Sequence, residues 1–520
     1  MVCNFAGGSR SNAPSQVSAL PSRRERKVLG WWMIGLLAAA VAATPTPIAA
    51  LPATPNAAAN LEASPGTSPN PNARVIVFTP NAVMVNNPIR PSATPWPEAP
   101  ATFTLNLTAY DSNGNVLQPT AENPLHVQVY GAPEGVITPV DTTITSGNTV
   151  QFTYSGGFFP NNMEIAAWID DPLGGAALGT TLFVQQNRPT CTGSNHYDLH
   201  MVSNVPDVIK VHAVVGADHP THGEFKDFAI DTGSLGVIVT KGSLVMGANV
   251  HGPGAKGQKY YDSSGYIFTG NYYLAPVSVE LKDHTYVQTN PILVLAIDGA
   301  HCAKSHLGCN APTPDIHYLG IGFDRNKTGA GDLFDSPSEN LALQLTDAQN
   351  GTDINGGYIL SQTGVTLGIT AANSAGFDLI SLDPNQPVPG DWLPEHGCFQ
   401  FTTLLGSPQF CGNLLLDVGI PEMFIDLSFD QRPSGSFDSN NRVPGGLGMN
   451  ILAGLTNNPA MSYDFTAVQP PTPPTGSAPT YVRWINDDNI FVNTGRRPLL
   501  NYDYLYSGQC GEVGFKPVKN

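Results

Sequence analysis

An aspartate in a tight glycine turn, Ile230-Asp231-Thr232-Gly233-Ser234, lies between two apolar runs, Phe228-Ala229-Ile230 and Leu235-Gly236-Val237-Ile238-Val239. A related turn recurs far downstream at Leu414-Leu415-Leu416-Asp417-Val418-Gly419-Ile420. Two such turns brought face to face can pair their carboxylates. Like charges about 3 Å apart cannot both ionise, so the pair shares one proton. The ionised member can take a proton from a water molecule, while the protonated member polarises a carbonyl and later returns the proton. The chemistry is hydrolysis by an activated water, and its titration belongs to the pair rather than to either aspartate. Asp-x-Gly turns are also ordinary connectors in β proteins, so the weight of this reading rests on what surrounds them.

Those surroundings fall in order along the chain. The hairpin Val208 to Val215 and Phe225 to Ile230 delivers Asp231 to its turn. Tyr260-Tyr261-Asp262-Ser263-Ser264-Gly265, followed by Thr269-Gly270, reads as a second hairpin. Tyr318-Leu319-Gly320-Ile321-Gly322-Phe323, Gly364-Val365-Thr366-Leu367-Gly368-Ile369, Val492-Asn493-Thr494-Gly495, Tyr502-Asp503 and Val513-Gly514-Phe515-Lys516-Pro517-Val518 read as short strands. The two aspartates are 186 residues apart, and each is followed by a strand glycine at a similar distance, Gly320 after 89 residues and Gly495 after 78. With these landmarks, roughly residues 197 to 520 resemble the pepsin-like aspartic proteases, as an exported, bacterial-type member with a divergent second motif.

The resemblance implies a mostly β, bilobal pepsin-like fold over residues 192–520 and an aspartic endopeptidase with Asp231 and Asp417 as its dyad. The expected partner is a polypeptide substrate, the expected state a monomer, and neither cofactor nor metal is called for. By the same resemblance the backbone N–H groups of Gly233 and Gly419 approach the carboxylates, Ser234 offers a hydroxyl to Asp231, and Thr232 bonds toward the other loop. Tyr261 is the flap tyrosine, counted back from Gly270 with a hairpin two residues longer; Tyr260 is the alternative, and a routine cross-strand aromatic is the plain reading of either. The second turn departs from the family pattern, since Val418 and Ile420 stand where hydroxyl residues are usual. Asp417 is therefore expected to lack hydroxyl donors that favour its charged form. A pepsin-fold protein impaired in catalysis, binding a peptide or a cell-surface ligand, is the alternative function. A carboxylate-pair glycosidase lacks its scaffold here, and Gly233-Ser234-Leu235-Gly236 misses the Gly-x-Ser-x-Gly nucleophile elbow.

The whole chain is consistent with this. Its 520 residues are 41% hydrophobic and only 12% charged, with 53 Gly and 46 Pro, a composition of many turns and short strands. A net charge of −17 disfavours nucleic acid and anionic lipid surfaces. Arg23, Arg24, Arg26 and Lys27 precede a 16-residue apolar run from Val28 to Ala43, with small residues following. Residues 1–50 therefore read as a signal peptide with a long leader, an uncleaved anchor being the alternative. Arg23-Arg24 suggests twin-arginine export, although Arg26 is out of pattern. The expected location is secreted or in the cell envelope. Cys3 leaves with the leader, and six cysteines remain. Sequence proximity pairs Cys302 with Cys309 and Cys398 with Cys411, which leaves Cys191 and Cys510 bracketing the domain; free buried thiols are the alternative.

Residues 51–73 are a Pro, Ala and Asn-rich linker without the apolar residues needed to fold. Alternating runs between residues 74 and 188 suggest an immunoglobulin-like β-sandwich, similar to the accessory sandwiches of exported bacterial proteins, with a propeptide as the alternative. Ser338 to Leu345 is the one convincing helical stretch, with Ser338 as its cap. His196, His200, His212, His219 and His222 are read as polar strand and turn residues rather than as a metal set.

Overall fold

The computed structural model describes residues 74–518 apart from 81–82, 86–100, 132–134, 156–162, 186–191, 262, 304–308, 310–314, 326–331, 335–338, 348–351, 355, 386, 389, 405, 407, 439–440, 456 and 486–488. Residues 1–50, read as a signal peptide, residues 51–73, read as a linker, and Cys191 lie outside these residues. All the described residues belong to one compact unit, Ala58–Asn520.

Alternation of apolar and polar residues makes the N-terminal strands. Leu125–Tyr130 and Thr149–Tyr154 each bury every second side chain, as strands with one covered face do. They lie in two five-stranded sheets, one built on Ala101–Tyr110 and Thr149–Tyr154, the other on Leu125–Tyr130, Met163–Asp170 and Ala176–Gln185. Leu105, Leu107 and Phe152 of the first sheet share a core with Leu125, Val127 and Ile165 of the second.

The aspartate-bearing strands are of another kind. Leu235–Thr240 is buried at nearly every position, which explains its unbroken apolar run: it lies inside a 12-stranded sheet, covered on both faces. A seven-stranded sheet repeats the same local arrangement. Lys226–Asp231 enters the first turn, Leu235–Thr240 leaves it, and His317–Ile321 threads between them, parallel to the first and antiparallel to the second. Phe410–Leu415, Met423–Asp426 and Phe491–Asn493 stand in the same relation around Asp417. A six-stranded sheet then gathers Tyr197–Asp198, Gly357–Leu360, Val365–Leu367 and the final strands Tyr502–Ser507 and Glu512–Pro517. One buried core runs through both arrangements, from Ile230, Val237 and Leu319 to Leu414, Ile425 and Val492.

Two disulfides tie adjacent segments, Cys302–Cys309 and Cys398–Cys411. Cys510 is disulfide-bonded as well. Ser338, the expected cap, lies outside the described residues, and the expected helix does not form over residues 339–345. Leu341–Leu343 is a single 3-10 turn capped by the Asn340 side chain, which accepts from the Ala342 N–H, and the chain continues into the strand Leu345–Asp347. The physical reason is burial on all sides: Leu341, Ala342, Leu343 and Leu345 are all in the core, so no polar helical face is available, and the run is too short to nucleate without one. Among the described residues no α-helix occurs, and no helix is long and apolar enough to cross a membrane.

The N-terminal sheets also pack against the 12-stranded sheet, through Ala176 and Leu178 on Phe268, Tyr272 and Leu295, and Trp168 stacks on His251 at 4.1 Å. Glu164 is fully buried there, with no hydrogen-bond partner for either oxygen among the described residues. Burial, together with the charge of Glu339, pushes its carboxyl well above the ordinary range. A raised folded-state value means that the acid is tolerated while protonated and that folding loses stability as pH climbs above the unfolded value, by up to about 1.4 kcal/mol per pH unit. Glu164→Gln should therefore raise Tm over the native chain at about pH 7.5 and change it little at about pH 4.5. Scanning calorimetry at both pH values checks this, and an equal shift at both would mean that the charge of Glu164 is not the cause.

Candidate active site

Asp231 ends its incoming strand and Asp417 lies two residues beyond its own, Phe410–Leu415; both are nearly buried, at 5% and 6% exposure. They line one cleft of about 720 Å³ together with Gly233, Gly419, Tyr261 and Arg325. Their closeness is recorded by the glycines. A methyl group on Gly233 would lie 2.5 Å from Asp417 Oδ2, and one on Gly419 would lie 2.5 Å from Asp231 Oδ1. Each turn's glycine is packed on the other turn's carboxylate, a contact that no larger residue permits.

Each carboxylate accepts two hydrogen bonds. Asp231 Oδ1 accepts from the Gly233 N–H at 2.8 Å, and Oδ2 from the Ser234 hydroxyl at 2.6 Å. Asp417 Oδ1 accepts from the Gly419 N–H at 2.9 Å, and Oδ2 from Asn493 Nδ2 at 2.7 Å. The Gly495 N–H donates to Asn493 Oδ1 at 3.0 Å, which fixes the amide with its nitrogen toward Asp417. No hydroxyl is present at 418 or 420, but the threading strand supplies an amide instead.

The turns are also bonded to each other. Thr232 donates its hydroxyl to the Leu416 carbonyl at 2.5 Å and accepts from the Val418 N–H at 2.9 Å. Val418 has no hydroxyl to return the contact. In its place Arg496, only 3% exposed, donates from Nε to the Val418 carbonyl at 2.9 Å and from a terminal nitrogen to the Gly419 carbonyl at 2.8 Å. Val418 itself is wholly buried in the common core.

Tyr261 reaches the site from the hairpin Lys256–Tyr261 and Tyr266–Ala275. Its hydroxyl donates to Ser234 Oγ at 3.4 Å, which extends the Ser234 to Asp231 chain by one member. Burial first, then the Asp231 charge, holds the phenol well above its usual value, so it remains a donor. Tyr260 also lines the cleft. The hairpin is anchored by Lys259, whose ammonium meets Asp332 at 2.8 Å with both side chains buried.

Burial and the Asp231 charge push Asp417 up to about 7, against the opposing bonds from Asn493 and Gly419 and the charge of Arg325. A buried pair of this kind keeps a proton near neutrality and presents one ionised and one protonated oxygen to the cleft. Asn493, Arg496 and Arg325 were not singled out in the sequence. Asn493 lies in the Val-Asn-Thr-Gly segment already noted there, so the signal was its position two residues before the threading glycine. Of the histidines, His200, His212 and His222 converge with His284 on the buried Glu280, a grouping that their reading as separate polar residues did not contain.

No family model matches the chain, and no curated protein matches it. Among solved structures it is similar to basic 7S globulin from soybean, at 11% identity and a TM-score of 0.40, over 62% of this chain and 95% of that one.

Asn493→Ala removes a donor to a charged oxygen, an interaction of about 1.5 to 3 kcal/mol. The upper apparent pKa of the aspartate pair should rise by about 1 to 2, as read by carboxyl carbon NMR on aspartate-labelled protein. An unchanged titration would mean that the amide does not bear on the carboxylate charge.

Proposed function

We propose that the chain is an aspartic endopeptidase of pepsin-like, bilobal fold, with an immunoglobulin-like sandwich at residues 74–188, acting outside the cytoplasm on polypeptide substrates as a monomer. The observation that carries this reading is the reciprocal packing of Gly233 on Asp417 and Gly419 on Asp231 at the floor of one cleft. It brings together two carboxylates whose only separate use would be as turn residues.

In the proposed reaction, the carboxylate pair takes a proton from a water molecule as the water oxygen bonds to the peptide carbonyl carbon. The proton already held by the pair, on the Asp417 side, passes to the carbonyl oxygen and gives a tetrahedral diol. The pair then protonates the peptide nitrogen and takes a proton back from one diol hydroxyl as the carbon–nitrogen bond breaks, leaving a carboxylic acid and an amine, and it ends with the single proton it began with. Gly233, Ser234, Gly419 and Asn493 hold the two carboxylates in place. Tyr261, which lines the cleft, has the role of shielding the reacting water from bulk solvent.

Val418 and Ile420 favour a second reading, a cleft that binds peptide without cleaving it, because the second turn lacks the hydroxyls of the first. The two are separated by one experiment. Purified protein is assayed on unfolded protein substrates across pH, with a pepstatin-type transition-state mimic as inhibitor. Asp231→Asn and Asp417→Asn should each lower kcat/KM by at least about 10³-fold. Because the reaction needs the pair to hold a proton and Asp417 is pushed up to about 7, activity should fall as pH rises through about 7. A folded chain that binds peptide in the cleft yet cleaves nothing at any pH would favour the binding reading.

A further inference from the structure

Glu280 is 0% exposed, at the end of the strand Val277–Glu280. Four imidazoles gather about it, His284 from four residues further along and the other three from earlier segments. His212, on Lys210–Val215, has Nδ1 at 2.6 Å from Oε2; His284 has Nδ1 at 2.9 Å from Oε1; and Nδ1 of His222 contacts Oε1 as well. His200 stacks on His212 at 4.7 Å and lies 5.2 Å from the His284 ring. Its backbone N–H donates to the Glu280 carbonyl, so its placement is fixed by the same residue.

Three imidazole nitrogens meet the carboxylate, and a fourth ring, His200, packs against two of those imidazoles. Each neutral ring that donates its Nδ1–H to Glu280 keeps a lone pair on Nε2 for a further partner. His284 adds a second sign. It occupies a left-handed turn position at φ 66°, where glycine or asparagine is the easier residue, and this conformation carries its ring to Glu280. Ligand atoms of His200, Glu280 and His284 all lie within 4.8 Å of one another.

We propose that His200, Glu280 and His284 bind a borderline divalent transition metal of the Zn²⁺ class, with His222 or water completing the shell. Two imidazoles and a carboxylate form a donor set for such ions rather than for Ca²⁺ or Mg²⁺. Ligand atoms around a tetrahedral zinc stand about 3.3 Å apart, so the cluster must contract by at most about 1.5 Å. The exposed turn of His284 supplies that movement. His212, which also faces Asp227 at 3.5 Å, then serves as a positioning residue rather than a ligand. The metal would staple the segment at His200 to the turn at His284, beside the hairpin that carries Asp231, and its binding does not depend on the proposed peptidase activity.

The full chain, stripped with EDTA and dialysed, is titrated with Zn²⁺ by equilibrium dialysis with elemental analysis, and its Tm is read with and without the metal. One Zn²⁺ should bind per chain with Kd below about 10 μM and raise Tm. His284→Asn, which keeps the left-handed turn, and His200→Gln should each weaken binding at least about tenfold without lowering the metal-free Tm, whereas His219→Gln should bind as the native chain does. X-ray absorption on the loaded native chain gives a readout independent of the variants, expected as mixed imidazole and carboxylate ligation. Binding weaker than about 100 μM, native-like affinity in both cluster variants, or a coordination shell without imidazole would each overturn the proposal.

Discussion

Two carboxylates removed from water within contact of one another are costly unless they share a proton and each finds donors, and the site is built around that constraint. It dictates the glycines. Gly233 and Gly419 have to be bare because each faces the opposite carboxylate, and their N–H groups have to point inward because those oxygens need donors. It also dictates the strands. A turn can hold a buried charge in one place only if its two ends are locked, and here each turn is gripped by a strand threaded between its incoming and outgoing arms.

The two turns meet the same need with different residues. On the Asp231 side the donor is local, the hydroxyl of Ser234 three residues away. On the Asp417 side it comes from Asn493, 76 residues further along, and the loop carbonyls are held by Arg496. Long-range donors free positions 418 and 420 for apolar side chains, and Val418 uses that freedom to join the core. The cost is a buried guanidinium, offset by two carbonyl hydrogen bonds and by the nearby aspartates.

The strand Lys226–Asp231 has polar business at both ends. At one end is the carboxylate pair; about 13 Å away along the strand, Asp227 faces His212 in the cluster around Glu280. Both centres bury a carboxylate and surround it with donors, some from neighbouring residues and some from distant segments. The N-terminal sheets cover another part of the same sheet with largely apolar surface, in which Glu164 is buried.

Much of this was legible in the residues. Period-two alternation marked Leu125–Tyr130 and Thr149–Tyr154, and unbroken apolar runs marked the strands about Asp231 and Asp417, because burial on one face or on both leaves a direct trace in residue type. The Asp231 turn was legible for the same local reason, since Thr232, Gly233 and Ser234 are neighbours in sequence and in space. The short apolar run Leu341–Leu343 misled, because helical periodicity over so few residues cannot be told from burial on all sides. What sequence order could not carry was anything made by segments that meet only after folding. Asn493 on Asp417, Arg496 behind the second turn, and His200, His212 and His222 around Glu280 come from positions separated by tens of residues, and no local pattern records which of many polar side chains the sheets will turn toward one another. Strand pairing and the exclusion of water decide that, and they exist only in the folded chain.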